Sequence, residues 1–111
     1  MGMRLIWHPL ALDDLSQITQ YCRHNFGIHI AKKVKDRYQN DVSLLKNHPL
    51  LGFIDPFLID FGTLEYRSLV VENTKIIYTA HTDYIYIHLI WDCRRQPESL
   101  RTEISKRVSH I

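Results

Sequence analysis

The sequence predicts an α+β fold: an N-terminal strand and an α-helical hairpin packed on a mainly antiparallel sheet of four to five strands, then a short C-terminal helix or tail. Three observations carry this. Apolar residues recur at three- and four-residue steps through the first half of the chain. From Phe57 onward the period shortens to two, in segments rich in β-branched and aromatic residues. Pro9 and Gly27 stand where the first helix would begin and end.

Met3 to Trp7 reads as a short first strand, and Pro9 takes the first helical position, where its missing N–H costs nothing. Asp13 and Asp14 follow in the opening turns, where negative charge suits the helix dipole, while Ala11, Leu15, Ile18 and Cys22 share one face. The second helix is written by Ala31, Val34, Tyr38, Val42 and Leu45, with Lys32, Lys33, Asp36, Arg37, Asn40 and Asp41 on the other side, and Pro49 stops it. With so little chain around Gly27 the two helices fold back as an antiparallel hairpin, whose joint apolar surface needs a cover.

Strands over Phe57 to Phe61, Leu64 to Val71, Lys75 to His81 and Tyr84 to Asp92 supply that cover, broken at Gly62-Thr63, Glu72-Asn73 and Thr82-Asp83. In the last of them Ile85, Ile87, Leu89 and Trp91 form the core face, and Tyr84, Tyr86, His88 and Asp92 the opposite one. Leu15, Ile18, Val34, Tyr38, Leu45, Ile87 and Leu89 are the expected core. Pro97 and Glu98 open a short terminal helix. No linker or internal repeat divides the chain, so one domain over residues 1–111 is expected.

A chain of 111 residues that is 45% hydrophobic can bury one core without metal or disulfide staples, and its 23% charged residues exclude a fibrous or disordered class. The net charge of +2 permits a polyanionic partner but falls short of a dedicated nucleic-acid binder. Cys22 and Cys93 lack zinc-ligand spacing and read as reduced thiols; no metal or organic cofactor is implied. The opening apolar run is too short for a signal peptide, and no segment approaches the ~20 apolar residues of a membrane span. A cytoplasmic address is the default expectation.

The element order, the opening string Leu5-Ile6-Trp7-His8-Pro9-Leu10-Ala11 with Asp14, Leu15 and Ile18, and Tyr21 before Gly27 together resemble the RelE/ParE superfamily of type II toxin-antitoxin toxins. Tyr66-Arg67-Ser68-Leu69-Val70 is similar to that superfamily's arginine-bearing strand, Lys75-Ile76-Ile77-Tyr78 to its next strand, and Ile87 through Leu100 to its last strand and terminal turn with paired arginines. The resemblance covers nearly the whole chain. It implies a toxin that arrests growth, with a cognate antitoxin whose flexible segment folds over it on binding. The action it implies is ribosome-associated mRNA cleavage, as in RelE-like members, with poisoning of DNA gyrase by binding alone, as in ParE-like members, as the alternative. An inert member that binds only its antitoxin is a third reading.

Metal-independent RNA cleavage needs a base, an acid and cations to hold the phosphate, and arginine's planar fork suits the last task. The resemblance assigns Arg67 to the scissile phosphate and Arg94 or Arg95 to a second phosphate contact. Residue type makes His88 the best proton carrier, with His81 and Glu65 as alternatives, while Tyr86, Tyr84 and Tyr78 could stack a base. Structural readings stand beside each. Arg67 could pair with Glu65 or Glu72, and Arg94 and Arg95 with Asp92 or Glu98; they could also anchor the acidic part of an antitoxin, while the histidine and tyrosines could be solvated or packing residues. Beyond Arg95 the chain holds no tyrosine, which departs from the RelE pattern and keeps the gyrase branch open.

Overall fold

The computed structural model describes residues 3–108. Its elements run β1 (Arg4–Trp7), α1 (Pro9–Phe26), α2 (Ile28–Ser43), a 3-10 turn (Leu44–Lys46), β2 (Phe53–Ile54), β3 (Arg67–Val71), β4 (Thr74–Ala80), β5 (Tyr84–Asp92) and α3 (Ser99–Val108). The expected tail extends over Ser109, His110 and Ile111, which lie outside the described residues. The five strands form one sheet in the order β1-β5-β4-β3-β2, with β1 parallel to β5 and every other pairing antiparallel.

Local chemistry sets the hairpin. His8 caps α1, its Nδ1 accepting from the Leu10 N–H at 3.0 Å, and Pro9 follows at the first helical position. Gly27 alone joins the helices: its N–H donates to the Arg23 carbonyl and its own carbonyl accepts from Ala31. It does so at φ +95°, a conformation that side chains with a Cβ rarely adopt.

The hairpin packs on one sheet face, where Ala11, Leu15, Tyr38, Val42 and Leu45 meet Val71, Ile76, Tyr78, Ile85, Ile87 and Ile90. The other face is covered by α3 and the 55–66 loop, with Leu58, Tyr66, Leu100 and Ile104 against Ile77, Leu89 and Trp91. Ile87 and Leu89 are both buried, as expected of the core, but they do not share a face. A β-bulge opposite Ile77 and Tyr78 inserts His88 into β5, so Ile85 and Ile87 point at the hairpin while Leu89 and Trp91 point at α3. One extra residue reverses every later side chain, because the strand period is two.

Two strand boundaries also differ from expectation. Phe57 to Phe61 is not a strand: Asp55 accepts the Phe57 N–H on its carboxylate and the Leu58 N–H on its carbonyl, and Phe61 closes a further turn onto Leu58. The sheet edge is instead Phe53–Ile54, paired to Ser68 and Arg67. Gly52 permits that approach, since a Cβ there would stand 2.6 Å from the Ser68 carbonyl oxygen and 2.8 Å from the Tyr78 ring. Leu64 and Glu65 precede β3, which starts only at Arg67. No described helix is long and apolar enough to cross a membrane.

Candidate functional site

Arg67 and His88 lie on opposite faces of the sheet. Arg67 registers with Tyr78 on the hairpin side, and its guanidinium donates to the Gly52 carbonyl at 2.7 Å and pairs with Glu65 at 3.0 Å. The Glu65 pairing expected as the structural reading of Arg67 is thus present. Tyr78 is fully buried, its hydroxyl donating to the Pro49 carbonyl and accepting from the Gly52 N–H, which leaves it no face for a base.

His88 stands on the other face, 2% exposed, with its ring 5.2 Å from Tyr66 and 4.8 Å from Tyr86. Its Nε2 meets the Thr79 hydroxyl at 2.9 Å, and the same hydroxyl reaches His81 Nε2 at 2.8 Å. His88 Nδ1 has no hydrogen-bond partner among the described residues. Tyr86 is half-buried against His8, and Tyr84 stacks on His81 at 4.4 Å.

The paired arginines after β5 are both exposed. Arg94 is forked onto Asp92 at 2.8–3.3 Å, and these bonds hold the Asp92 carboxyl below its usual range. Arg95 lies over the Trp91 ring at 4.2 Å. Glu72 pairs with Arg37 of α2 rather than with Arg67. Cys22 and Cys93 are free thiols, and among the described residues no group of three His, Cys, Asp or Glu is placed to hold a metal ion.

Burial pushes the His88 imidazole down to about 4, with His8, His81 and Arg107 adding to the effect. The depressed value means that the fold favours the neutral ring. Its stability contribution is intact above the unfolded value of ~6.5 and is lost as pH falls through 4. Between pH 7 and 4 this one group should lower unfolding free energy by about 3 kcal/mol. Urea unfolding across that range checks it: His88→Gln should flatten the acid slope, and an unchanged slope would assign the acid sensitivity to other groups.

Sequence reasoning missed the residues that order this face. β1 ends at Trp7, so β5 loses its strand neighbour beyond Ile87, where the His8 N–H still reaches the Ile87 carbonyl. Two side chains substitute for the missing strand. Arg107 of α3 donates to the His88 carbonyl at 2.9 Å, and Asp14 of α1 accepts the Ile90 N–H at 3.0 Å. Arg107 and Asp14 then bond each other twice, at 2.7 and 3.0 Å, and His8 Nε2 lies 3.1 Å from the Arg107 carbonyl oxygen. Burial opposes the Arg107 charge, but the bonds to Asp14 and Glu103 outweigh it and raise the guanidinium further. Asp14 carried a sequence signal as a helix-dipole acid and as part of the opening string that resembles the superfamily, and Arg107, 93 residues away, carried none.

A cleft of about 680 Å³ opens between the hairpin and the β3–β4 turn. Ile18, Tyr21, Phe26, Val34, Tyr38 and Ile90 give it apolar walls, and Arg94 and Arg95 stand on its rim. The terminal arginine pair therefore lines this cleft.

Residues 5–97 match the family model described as the ParE toxin of the type II toxin-antitoxin system parDE. Among solved structures, a chain from the chromosomal ParDE toxin-antitoxin system of P. aeruginosa shares the fold at a TM-score of 0.67 and 22% identity, covering 82% of this chain and 96% of its own length. No curated protein matches the sequence.

Proposed function

This chain belongs to the family of ParE toxins of type II toxin-antitoxin systems, and we propose that it arrests growth by binding DNA gyrase without cleaving RNA. The separation of the ribonuclease candidates carries this reading. RNA cleavage would need Arg67, Arg94 or Arg95, and His88 around one phosphate, with Tyr86 against a base. Arg67 is on the face opposite His88, and a proton carrier that is 2% exposed has no path to substrate in this conformation.

The antitoxin partner follows from family membership, and the neighbour of similar fold comes from a ParDE system. We assign the antitoxin segment to the cleft beside Arg94 and Arg95, where a helix or extended chain with an apolar stripe would bury Ile18, Val34 and Ile90.

Induction of the chain in bacteria, with translation and DNA supercoiling followed separately, tests the action. Supercoiling should be disturbed before translation falls, and Arg67→Ala should leave toxicity unchanged. Under mRNA cleavage, translation would fail first and Arg67→Ala would slow cleavage by roughly 10²–10³. That second pattern would overturn the gyrase reading.

A further inference from the structure

Charge is distributed unevenly along this chain. Residues 15 to 35, the end of α1 and the start of α2, contain Arg23, Lys32, Lys33 and Lys35 and not one Asp or Glu. The other 90 residues carry ten Lys and Arg against all twelve Asp and Glu. The hairpin tip is therefore at +4 on a body at −2, a polarity that the net charge of +2 conceals. Lys32 is tied to Asp36, but Arg23, Lys33 and Lys35 have no ion-pair partner among the described residues.

The same tip exposes apolar side chains. Tyr21 is 64% exposed, Phe26 62%, Ile28 60% and Ile30 41%, and Tyr21 and Phe26 hold each other edge to face at 6.4 Å. Large apolar residues set among unpaired cations on a rigid two-helix finger have no folding role here, and their grouping marks an interaction surface. We propose that the tip of the helical hairpin is the surface that engages the toxin's target protein, on an acidic patch holding an apolar cleft. This rests on the reading that the toxin acts by binding gyrase.

The chemistry favours protein over duplex DNA. Phosphate contacts reward cations and give nothing for Ile28 and Ile30, whereas an interface core of aromatic and aliphatic anchors inside a charged rim matches protein recognition. The location also accounts for neutralisation. Tyr21 and Phe26 line the antitoxin cleft as well, so a segment seated there covers the aromatic half of the tip.

The experiment compares two full-length variants of equal charge change, Lys33→Glu with Lys35→Glu, and Arg4→Glu with Lys46→Glu. All four positions are exposed, and a glutamate at position 33 stands one helical turn before Arg37, so the first pair should fold. Binding to purified gyrase, binding to duplex DNA alone and accumulation of gyrase–DNA cleavage complexes are measured at two salt concentrations. The tip pair should slow association with gyrase by about tenfold or more, with a weaker salt dependence, while the control pair changes it far less. A Phe26→Ser, Ile28→Ser variant should weaken gyrase affinity at least tenfold, roughly the scale of losing one interface anchor. Folded tip variants that engage gyrase as well as the control would overturn the proposal, as would a loss confined to DNA alone. If the unmodified chain fails to engage gyrase, the binding reading falls, and this assignment with it.

Discussion

Replacing Arg107 by alanine should destabilise the protein by about 3–5 kcal/mol, the cost of leaving one member of a buried ion pair without its partner. The Arg107 side chain is 7% exposed and Asp14 17%, so water can do little to replace the bonds. The substitution strands the Asp14 carboxylate and removes the donor to the His88 carbonyl. It also cuts the side-chain link between α3 and α1, so amide exchange in α3 should accelerate more than in α1. Asp14→Leu combined with Arg107→Met should recover only part of the loss. It removes both charges but leaves the Ile90 N–H without an acceptor. Urea denaturation of the three variants reads this out. A loss below 1 kcal/mol for Arg107→Ala would show that the pair is not the clasp described here.

Asp55→Ala should be as severe, again about 3–5 kcal/mol. Asp55 is fully buried and accepts from Lys75 Nζ at 2.6 Å, the Ser68 hydroxyl at 2.6 Å and the Phe57 N–H at 2.8 Å. Alanine leaves the Lys75 ammonium, 11% exposed, without its carboxylate and against the Phe57 ring. It also releases the turn that carries the 55–66 loop over Leu89 and Trp91. Asp55→Asn keeps an acceptor for the Phe57 N–H and loses the charge, so it should fall between alanine and the unaltered protein. Equal losses for the two variants would mean that the ion pair, rather than the turn, sets the cost.

The elements that sequence periodicity can express were legible. Both helices, the Gly27 joint and β5 at Tyr84–Asp92 emerged from spacing alone, because packing on one face leaves a 3.6- or two-residue trace. The apolar alternation of β5 runs unbroken through Ile85, Ile87, Leu89 and Trp91, so nothing in it reveals that the bulge at His88 sends its two halves to different cores. Phe57, Leu58, Ile59 and Phe61 looked like a strand because aromatic and aliphatic residues favour strands, yet Asp55 captured their backbone in turns. β2 is two residues long and exposed, too short to leave a period.

For the candidate site, residue type alone proved a weak guide to location. His88 resembles a proton carrier in any list of side chains, but burial lowers its affinity for a proton and takes it from solvent. The arginine pair was read as flanking the chemistry of β5, and in the structure it also lines the cleft. The cleft itself had no sequence signature, since its walls come from α1, α2, the β3–β4 turn and the end of β5 together.

The most direct test of the binding account is to incubate the purified chain with gyrase and supercoiled DNA and, in parallel, with ribosomes carrying message. The account predicts accumulation of cleaved gyrase–DNA complexes and intact message, with Phe26→Ser, Ile28→Ser weakening the first effect and His88→Gln leaving it in place. Cleaved message alongside uninhibited gyrase, lost on substitution of Arg67 or His88, would contradict it.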